Sequence, residues 1–443
     1  MIYLDKETEL TKELISKILN QYVIETQPKL QKWGNYLAGK HAILNKSYED
    51  RNKPCNRIVT NFAKIITETY SGYICGKPVS YTSNDNIDDV QEAINYNDST
   101  AQDIAWLTNA LTYGVGYELQ WLDKYAQVRY SQVSPLNALA IFDNTLDCEL
   151  LYFIRWYEAD TITDSDLVYI EVYNATDKIT YKAHGLQGAL EFVSEEQHYF
   201  GDVPASVFFL NDAEESIFNS IISLNDAYNE LQSAEIDDFQ EWVDAYLALT
   251  GMDADPEDIS KMKQQRVLIM PEGATATWVT KNATDTQIVN MLDNIKKNIF
   301  KVTACPDMAD ETFLAQSGTA LAYKLVGFEN IASSIVARFT KAIQRRIELI
   351  CNVLKLKATD AVWRDIHINF VRNLPINMAE AVQMVSGLHG VVSDKTLLAQ
   401  LPFINDIDSE LEAIQEQKQA NMELYSFGMP TDDDIDTEET KAV

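Results

Sequence analysis

The stretch closest to a phosphate-binding loop is Ser71-Gly72-Tyr73-Ile74-Cys75-Gly76-Lys77-Pro78. A P-loop needs wider glycine spacing, then a Ser or Thr hydroxyl to hold magnesium. Here the spacing is one residue short and Pro78 stands in the hydroxyl's place, so the segment reads as a helix stop followed by a turn. Asp253, Asp255, Glu257 and Asp258 offer the carboxylates of a calcium loop. They lack its central Gly, and the twelfth position, where a bidentate Glu belongs, is Gln264. That cluster reads as a solvated loop. His41, His184, His198, His367 and His389 lie far apart, and none has a His or Cys at metal-ligand spacing. There is no Gly-x-Ser-x-Gly elbow and no cysteine inside a nucleophile signature. Lys296, Lys297 and Lys301 share one helix. Repeated around a ring they would form bands of positive charge near a channel; otherwise they are an exposed helix face. The residues thus point to no catalytic site, cofactor or metal.

The elements around these residues explain the emphasis on packing. With 443 residues and 46% apolar content, the chain can bury a large core spread over several regions. Sixty-seven acidic against 36 basic residues leave a net charge of −31, which disfavours broad gripping of a phosphate backbone. The charge suits a soluble acidic protein, or an acidic surface past which DNA slides without sticking. The start of the chain has no basic run followed by an apolar stretch, and no long apolar segment appears, so neither secretion nor membrane spanning is expected. Five scattered cysteines read as reduced thiols used as small core residues.

Helical spacing of Leu10, Leu14, Ile18 and Tyr22 predicts a helix over 9–37, broken or kinked at Pro28. Further helices are predicted from Asn56 to Tyr70, stopped by Gly72, and from Asp98 to Tyr113, stopped by Gly114 and Gly116. Short aromatic and β-branched runs between Tyr117 and Leu210, such as Tyr117 to Leu122, Gln127 to Val133, Leu150 to Tyr157, Leu167 to Tyr173 and Lys178 to Lys182, predict a mainly antiparallel sheet. From Glu214 the apolar residues Ile217, Ile221, Leu224, Tyr228 and Leu231 make one helical seam, continued through Phe239, Trp242, Val243 and Tyr246. A small α/β insertion follows, with the apolar run Val267 to Met270 and the segment Ala276 to Thr280. A capping box at Thr284 and Gln287 opens the next helix, carrying Ile288, Leu292, Ile295, Ile299 and Val302 and stopping near Pro306. After a loop, apolar positions from Leu321 to Ile350 predict a long helix from Gly318 to Leu354, kinked at Gly327. A strand from His367 to Val371, short helices at 379–388, 394–401 and 409–425, and an acidic tail complete the expectation of an α+β chain.

The order of these segments resembles the portal (head-to-tail connector) proteins of tailed bacteriophages, from about residue 50 to 425. The resemblance rests on Asn56-Arg57-Ile58 through Asn61-Phe62-Ala63-Lys64, Gly72-Tyr73-Ile74, and Gly76-Lys77-Pro78-Val79. It continues in Tyr113-Gly114-Val115-Gly116-Tyr117, Ser223-Leu224-Asn225-Asp226-Ala227-Tyr228-Asn229 and Asp244-Ala245-Tyr246-Leu247. Ser317-Gly318-Thr319-Ala320-Leu321, Tyr323-Lys324-Leu325 and Arg372-Asn373-Leu374-Pro375 complete it. It implies a portal-type fold with a β-rich wing, a two-helix stem, a small α/β clip, a long kinked helix and a helical crown. Carried onto this chain, the implied parts are N-terminal helices and wing at 1–213, first stem helix at 214–247, clip at 248–283 and second stem helix at 284–305. A tunnel loop would occupy 306–317, the long helix and return strand 318–375, and crown and tail 376–443.

In that frame Asp307, Met308, Asp310, Glu311, Thr312, Phe313 and Gln316 would line the channel, Lys296, Lys297 and Lys301 would face the stem bore, and Gly327 would mark the kink. The implied assembly is a homo-oligomeric ring, a dodecamer, at one capsid vertex of the virion, built in the host cytoplasm. Double-stranded DNA would pass through it during packaging and ejection without being held tightly. A ring of twelve would carry roughly 370 negative charges, which keeps phosphate contacts transient. Its implied partners are the terminase large-subunit ATPase, head-completion adaptors, and major capsid and scaffold proteins. The competing readings are an enzyme, such as a packaging ATPase or nuclease, and another structural virion part, such as a capsid or tail adaptor component.

Overall fold

Alternating side chains of one strand, Val115–Leu122, organise the centre of the molecule. In a strand successive side chains point to opposite faces. Val115, Tyr117 and Leu119 join Phe142, Phe153, Tyr173 and Ala205 in one apolar layer between two sheets. Glu118 and Gln120, equally buried, face the helices on the other side. The computed structural model describes residues 1–48, 53–160, 164–243, 246–250, 285–309, 318–356 and 362–373, with shorter pieces elsewhere, the longest of them 275–279, 390–398 and 413–418. The described residues form two compact units, Met1–Asn373 and Leu374–Val443.

In the first unit the described strands are β1 (Ile2–Leu4), β2 (Ser80–Thr82), β3 (Val115–Leu122), β4 (Val128–Val133), β5 (Ala138–Asp143) and β6 (Leu150–Asp160). They continue with β7 (Asp164–Tyr173), β8 (Asp177–His184), β9 (Glu191–Gln197), β10 (Ala205–Phe209), β11 (Tyr246–Thr250), β12 (Thr275–Val279) and β13 (His367–Asn369). The helices are α1 (Lys12–Gln21), α2 (Gln27–Leu37), α3 (Phe62–Cys75), α4 (Asp88–Asn95), α5 (Ser99–Tyr113), α6 (Ile222–Val243), α7 (Asp285–Val302) and α8 (Gly318–Leu356). Mixed α+β architecture is therefore observed.

The expected single sheet is two sheets. One has the order β1-β5-β6-β7-β8-β9 and the other β10-β3-β4, and all neighbours are antiparallel except the parallel pair β1 and β5. Sequence periodicity passed over β5 because Ala138 to Asp143 is buried on both faces and has no alternation to read. It passed over β9 for the opposite reason: nearly every residue there is exposed. Phe208 on β10 and Phe339 on α8 close around Trp106 of α5, with ring centroids 4.9 to 6.4 Å apart. That aromatic group fixes α8 across the second sheet.

The first predicted helix is two helices joined by a π turn, Tyr22–Thr26, directly before Pro28 in the first turn of α2. Proline has no N–H and its ring clashes with the carbonyl four residues back; a π turn absorbs both. The helix expected from Asn56 starts only at Phe62, capped by the Asn61 side chain on the Lys64 N–H, and runs through Gly72 to Cys75. The helix expected from Glu214 starts at Ile222, after a short 3-10 turn at Asn219–Ile221. Tyr246, placed by its spacing on the helical seam, lies in β11 instead, paired with β12. The long helix matches its predicted span to within two residues, α8 ending at Leu356. The predicted strand at His367 pairs with β2.

Gly114 ends α5 in the left-handed region at φ +78, and a Cβ there would lie 2.3 Å from the Glu214 carbonyl carbon. Both conformation and close approach demand glycine. Gly114→Ala is expected to cost about 2–4 kcal/mol, read as a lower urea midpoint; an unchanged midpoint would refute the clash.

The second unit holds, among its described residues, α9 (Asp394–Leu398), with Leu397 buried and the Ser393 and Thr396 hydroxyls 2.9 Å apart at its start. About half of each helix expected at 379–388 and 409–425 falls outside the described residues, and all of Val267 to Met270 does.

Candidate functional site

The helices α6 and α7 pack side by side, and their shared root is where the candidate residues meet. Phe62, the first residue of α3, sits edge-on to Tyr228 of α6 at 5.1 Å and to Phe300 of α7 at 5.8 Å. Ile299 and Phe300 are buried there, whereas Val289, Met291 and Val302 on the same helix are about half exposed. One end of the helix pair is thus anchored in the core.

What holds α6 is polar, and periodicity of apolar residues could not show it. Its most buried line is Asn225, Asn229, Ser233 and Asp237, at four-residue intervals. Each accepts a backbone N–H from an extended strap: Phe62 donates to Asn225 at 3.2 Å and Thr60 to Asn229 at 2.8 Å. Ile58 donates to Ser233 at 3.0 Å and Asn56 to Asp237 at 2.6 Å. Four helical residues rise about 6 Å and two extended residues about 6.6 Å, so every second strap amide meets the next helical turn. The strap's donors, which a sheet would otherwise satisfy, are paired by side chains. Lys46 adds an ion pair to Asp237 at 2.7 Å. Burial alone would lift the Asp237 carboxyl, but hydrogen bonds from Lys46 and Asn56 outweigh it and hold it below the ordinary carboxylate range. The available signal was four small polar residues repeating every four positions.

His41 belongs to the same construction. Its ring stacks on Tyr36 at 3.9 Å, Asn229 Nδ2 donates to its Nδ1 at 2.8 Å, and its Nε2 lies 3.0 Å from the Tyr36 carbonyl. That pattern requires the neutral tautomer with hydrogen on Nε2. Burial pushes its pKa down in agreement. His198 similarly bonds the Asn174 carbonyl, so both histidines are structural.

Past α7 the chain turns sharply, with Ala304 at φ +50 and the Tyr70 hydroxyl donating to the Thr303 carbonyl at 2.8 Å. Lys296 and Asp307, both candidate residues, come together at 2.7 Å. The Asp307 hydrogen bond and charge hold the Lys296 ammonium above its ordinary pKa. Both groups are partly exposed, so the pair is worth about 0–1 kcal/mol and serves to set direction. Asp307 also accepts the Ala309 N–H, which starts the loop. Lys297, Lys301 and Met308 are exposed. Asp310, Glu311, Thr312, Phe313 and Gln316 lie outside the described residues, as does Thr284 of the capping box.

Gly327 lies within a continuous α-helix, and a Cβ there would make ordinary contact with Ala304 at 3.6 Å. The neighbouring Phe328 is clasped by Tyr70 and Tyr73 of α3 at 4.5 and 4.7 Å. The next residue, Glu329, takes Arg372 at 2.9 Å, while the Asn373 N–H bonds the Tyr73 carbonyl at 3.1 Å. Two motifs far apart in the chain, Gly72 to Pro78 and Arg372 to Asn373, therefore meet. Ser71 and Gly72 are inside α3, so this segment forms no anion-binding loop. Among the described residues no cluster of His, Cys, Asp or Glu could hold a metal ion, and no helix is long and apolar enough to cross a membrane. Cys75, Cys305 and Cys351 are buried and unbridged.

Two phage proteins are similar to this chain over most of its length. The portal protein of Clostridium phage phiCD119 is 23% identical over 421 residues, covering 87% of this chain and 91% of its own. The portal protein of Bacillus phage SPP1 is 21% identical over 421 residues, covering 89% and 83%. The family model described as phage portal protein, SPP1 Gp6-like, matches residues 17–424, nearly the whole chain including the anchored helix pair, its strap and the loop beyond. By that match the chain belongs to the SPP1 Gp6-like family of phage portal proteins.

Proposed function

We propose that this chain assembles into a closed ring, a dodecamer, at one capsid vertex and forms the channel through which double-stranded DNA enters and leaves. Portal proteins of phages are structural, non-enzymatic virion components that assemble with capsid and packaging proteins. The observation that carries the finer reading is the series α6, the β11 and β12 pair, α7, the turn at Asp307 and the long α8, rooted at one end in the core. In it, 214–247 and 284–305 act as the stem, 248–283 as the clip that docks the terminase ATPase and adaptors, and 306–317 as the tunnel loop. Residues 1–213 form the wing, 318–375 the long helix and return strand, and 376–443 the crown. The boundary between the compact units at Asn373 supports the last division.

Within the ring, exposed Lys297 and Lys301 and the loop from Asp307 to Gln316 would face the bore, and Gly327 would mark the kink of α8. Half-exposed apolar residues on α7, such as Val289 and Met291, would be covered by the neighbouring copy. The heavy negative charge keeps DNA contacts short-lived, so the channel guides rather than grips.

Negative-stain microscopy of the purified protein is expected to show rings with a central hole. Monomers or dimers over a wide concentration range would reject the ring, and would favour another non-enzymatic capsid or tail component.

A further inference from the structure

We propose that Arg346, Glu118 and Asp103 form a buried proton-binding site: at neutral pH the group holds one proton, on Asp103, and its loss loosens the junction between α8 and the second sheet. The three side chains come from α8, β3 and α5, and none is more than 2% exposed. Two carboxylates against one guanidinium would leave a full negative charge in the interior. Desolvation makes that costly, and the ordinary escape is neutralisation of one acid.

Geometry selects Asp103. Glu118 takes the guanidinium through both oxygens, from Nε at 2.9 and 3.0 Å and from Nη2. Asp103 has one oxygen 2.7 Å from Nη2 but off the hydrogen-bonding direction, and neither of its oxygens has a hydrogen-bond partner. It gains least from staying charged. Burial, only partly opposed by Arg346, lifts its carboxyl above the ordinary range. Glu118 is lifted as well, by burial, but its bidentate contact favours the ion. The other titratable groups facing the site are Cys75 of α3, Tyr81 of β2 and Tyr130 of β4. Burial pushes all three up, so they stay neutral and supply no compensating charge. Trp106 and Tyr130 cover the guanidinium at 5.2 and 4.4 Å and exclude further counterions.

The sign follows from linkage. An acid whose pKa is raised on folding binds more protons in the folded chain, so stability falls as pH rises above the unfolded carboxyl range towards the folded value. Thermal unfolding of the full chain, followed from about pH 6 to about pH 9, tests this with Asp103→Asn, which mimics the protonated acid. Wild type is expected to lose midpoint with rising pH more steeply than Asp103→Asn, the two curves converging at the acid end. Glu118→Gln, which removes the bidentate partner, is expected to melt lower than Asp103→Asn at every pH. Equal slopes for wild type and Asp103→Asn, or an Asn variant as unstable as Glu118→Gln throughout, would overturn the proposal. Should the Asn variant not fold, infrared spectra of wild type labelled with carbon-13 aspartate decide. A protonated aspartic acid band at about pH 8 is expected, and its absence rejects the site.

Discussion

Arg346→Met is expected to destabilise the protein by about 3–5 kcal/mol, the largest single effect among the contacts described. Methionine fills much the same space between Trp106 and Tyr130, so packing changes little. What changes is charge: Glu118, fully buried, loses its bidentate partner, and Asp103 loses its one cationic neighbour. Removing one partner of a buried ion pair is far more harmful than replacing all of them, because the remaining charge has no solvent. The deficit should shrink as pH falls. Without the guanidinium both carboxyl pKa values rise further in the folded chain, so protonation at low pH favours folding. Urea unfolding at about pH 5 and about pH 8 measures the difference. A loss under about 1 kcal/mol at both would mean that the interior is wetter than its burial indicates.

Asn229→Leu should cost about 2–4 kcal/mol, almost all of it from unmade hydrogen bonds. Asn229 is fully buried and serves two partners, accepting from Thr60 N–H and donating to His41 Nδ1. Leucine satisfies neither, and the strap's amide has no nearby water to turn to. The neighbouring Glu230 is exposed, and Glu230→Ala should stay within about 0.5 kcal/mol. Amide hydrogen exchange gives a local reading, since Thr60 should lose protection in Asn229→Leu and keep it in Glu230→Ala. Equal protection in both would show that the ladder does not hold the strap. The neutral His41 adds a pH effect of known sign. Its folded pKa is lowered, so stability is full above the unfolded value of about 6.5 and declines as pH falls below it.

These two results concern residues that the linear chain presents as unremarkable. Asn225, Asn229, Ser233 and Asp237 lie between apolar positions of a helix and have the composition of a solvated stripe. Leu224, Tyr228 and Leu231, which carried the expected seam, are only half-buried in the single subunit. The helix was legible and its buried face was not, because the partner is an extended strap whose backbone N–H groups, rather than its side chains, make the contact. Likewise β5 was hidden by burial on both faces, and α3 was started early because Ile58 fits helical spacing although its N–H is committed to Ser233. Where one face is wet and the other dry, as along α8, spacing alone located the element almost to its ends.

Of the candidate residues, the structure joins Lys296 to Asp307 and leaves Lys297 and Lys301 exposed. Charge type could be read from the chain, but pairing could not. Composition, spacing and motif order by themselves determined an α+β chain with one long helix from Gly318 and the order of segments of a phage portal. Only the tertiary structure decided which polar groups are buried and with whom, because desolvation depends on neighbours brought from more than 150 positions away, as Asn56 is to Asp237 and Glu118 to Arg346.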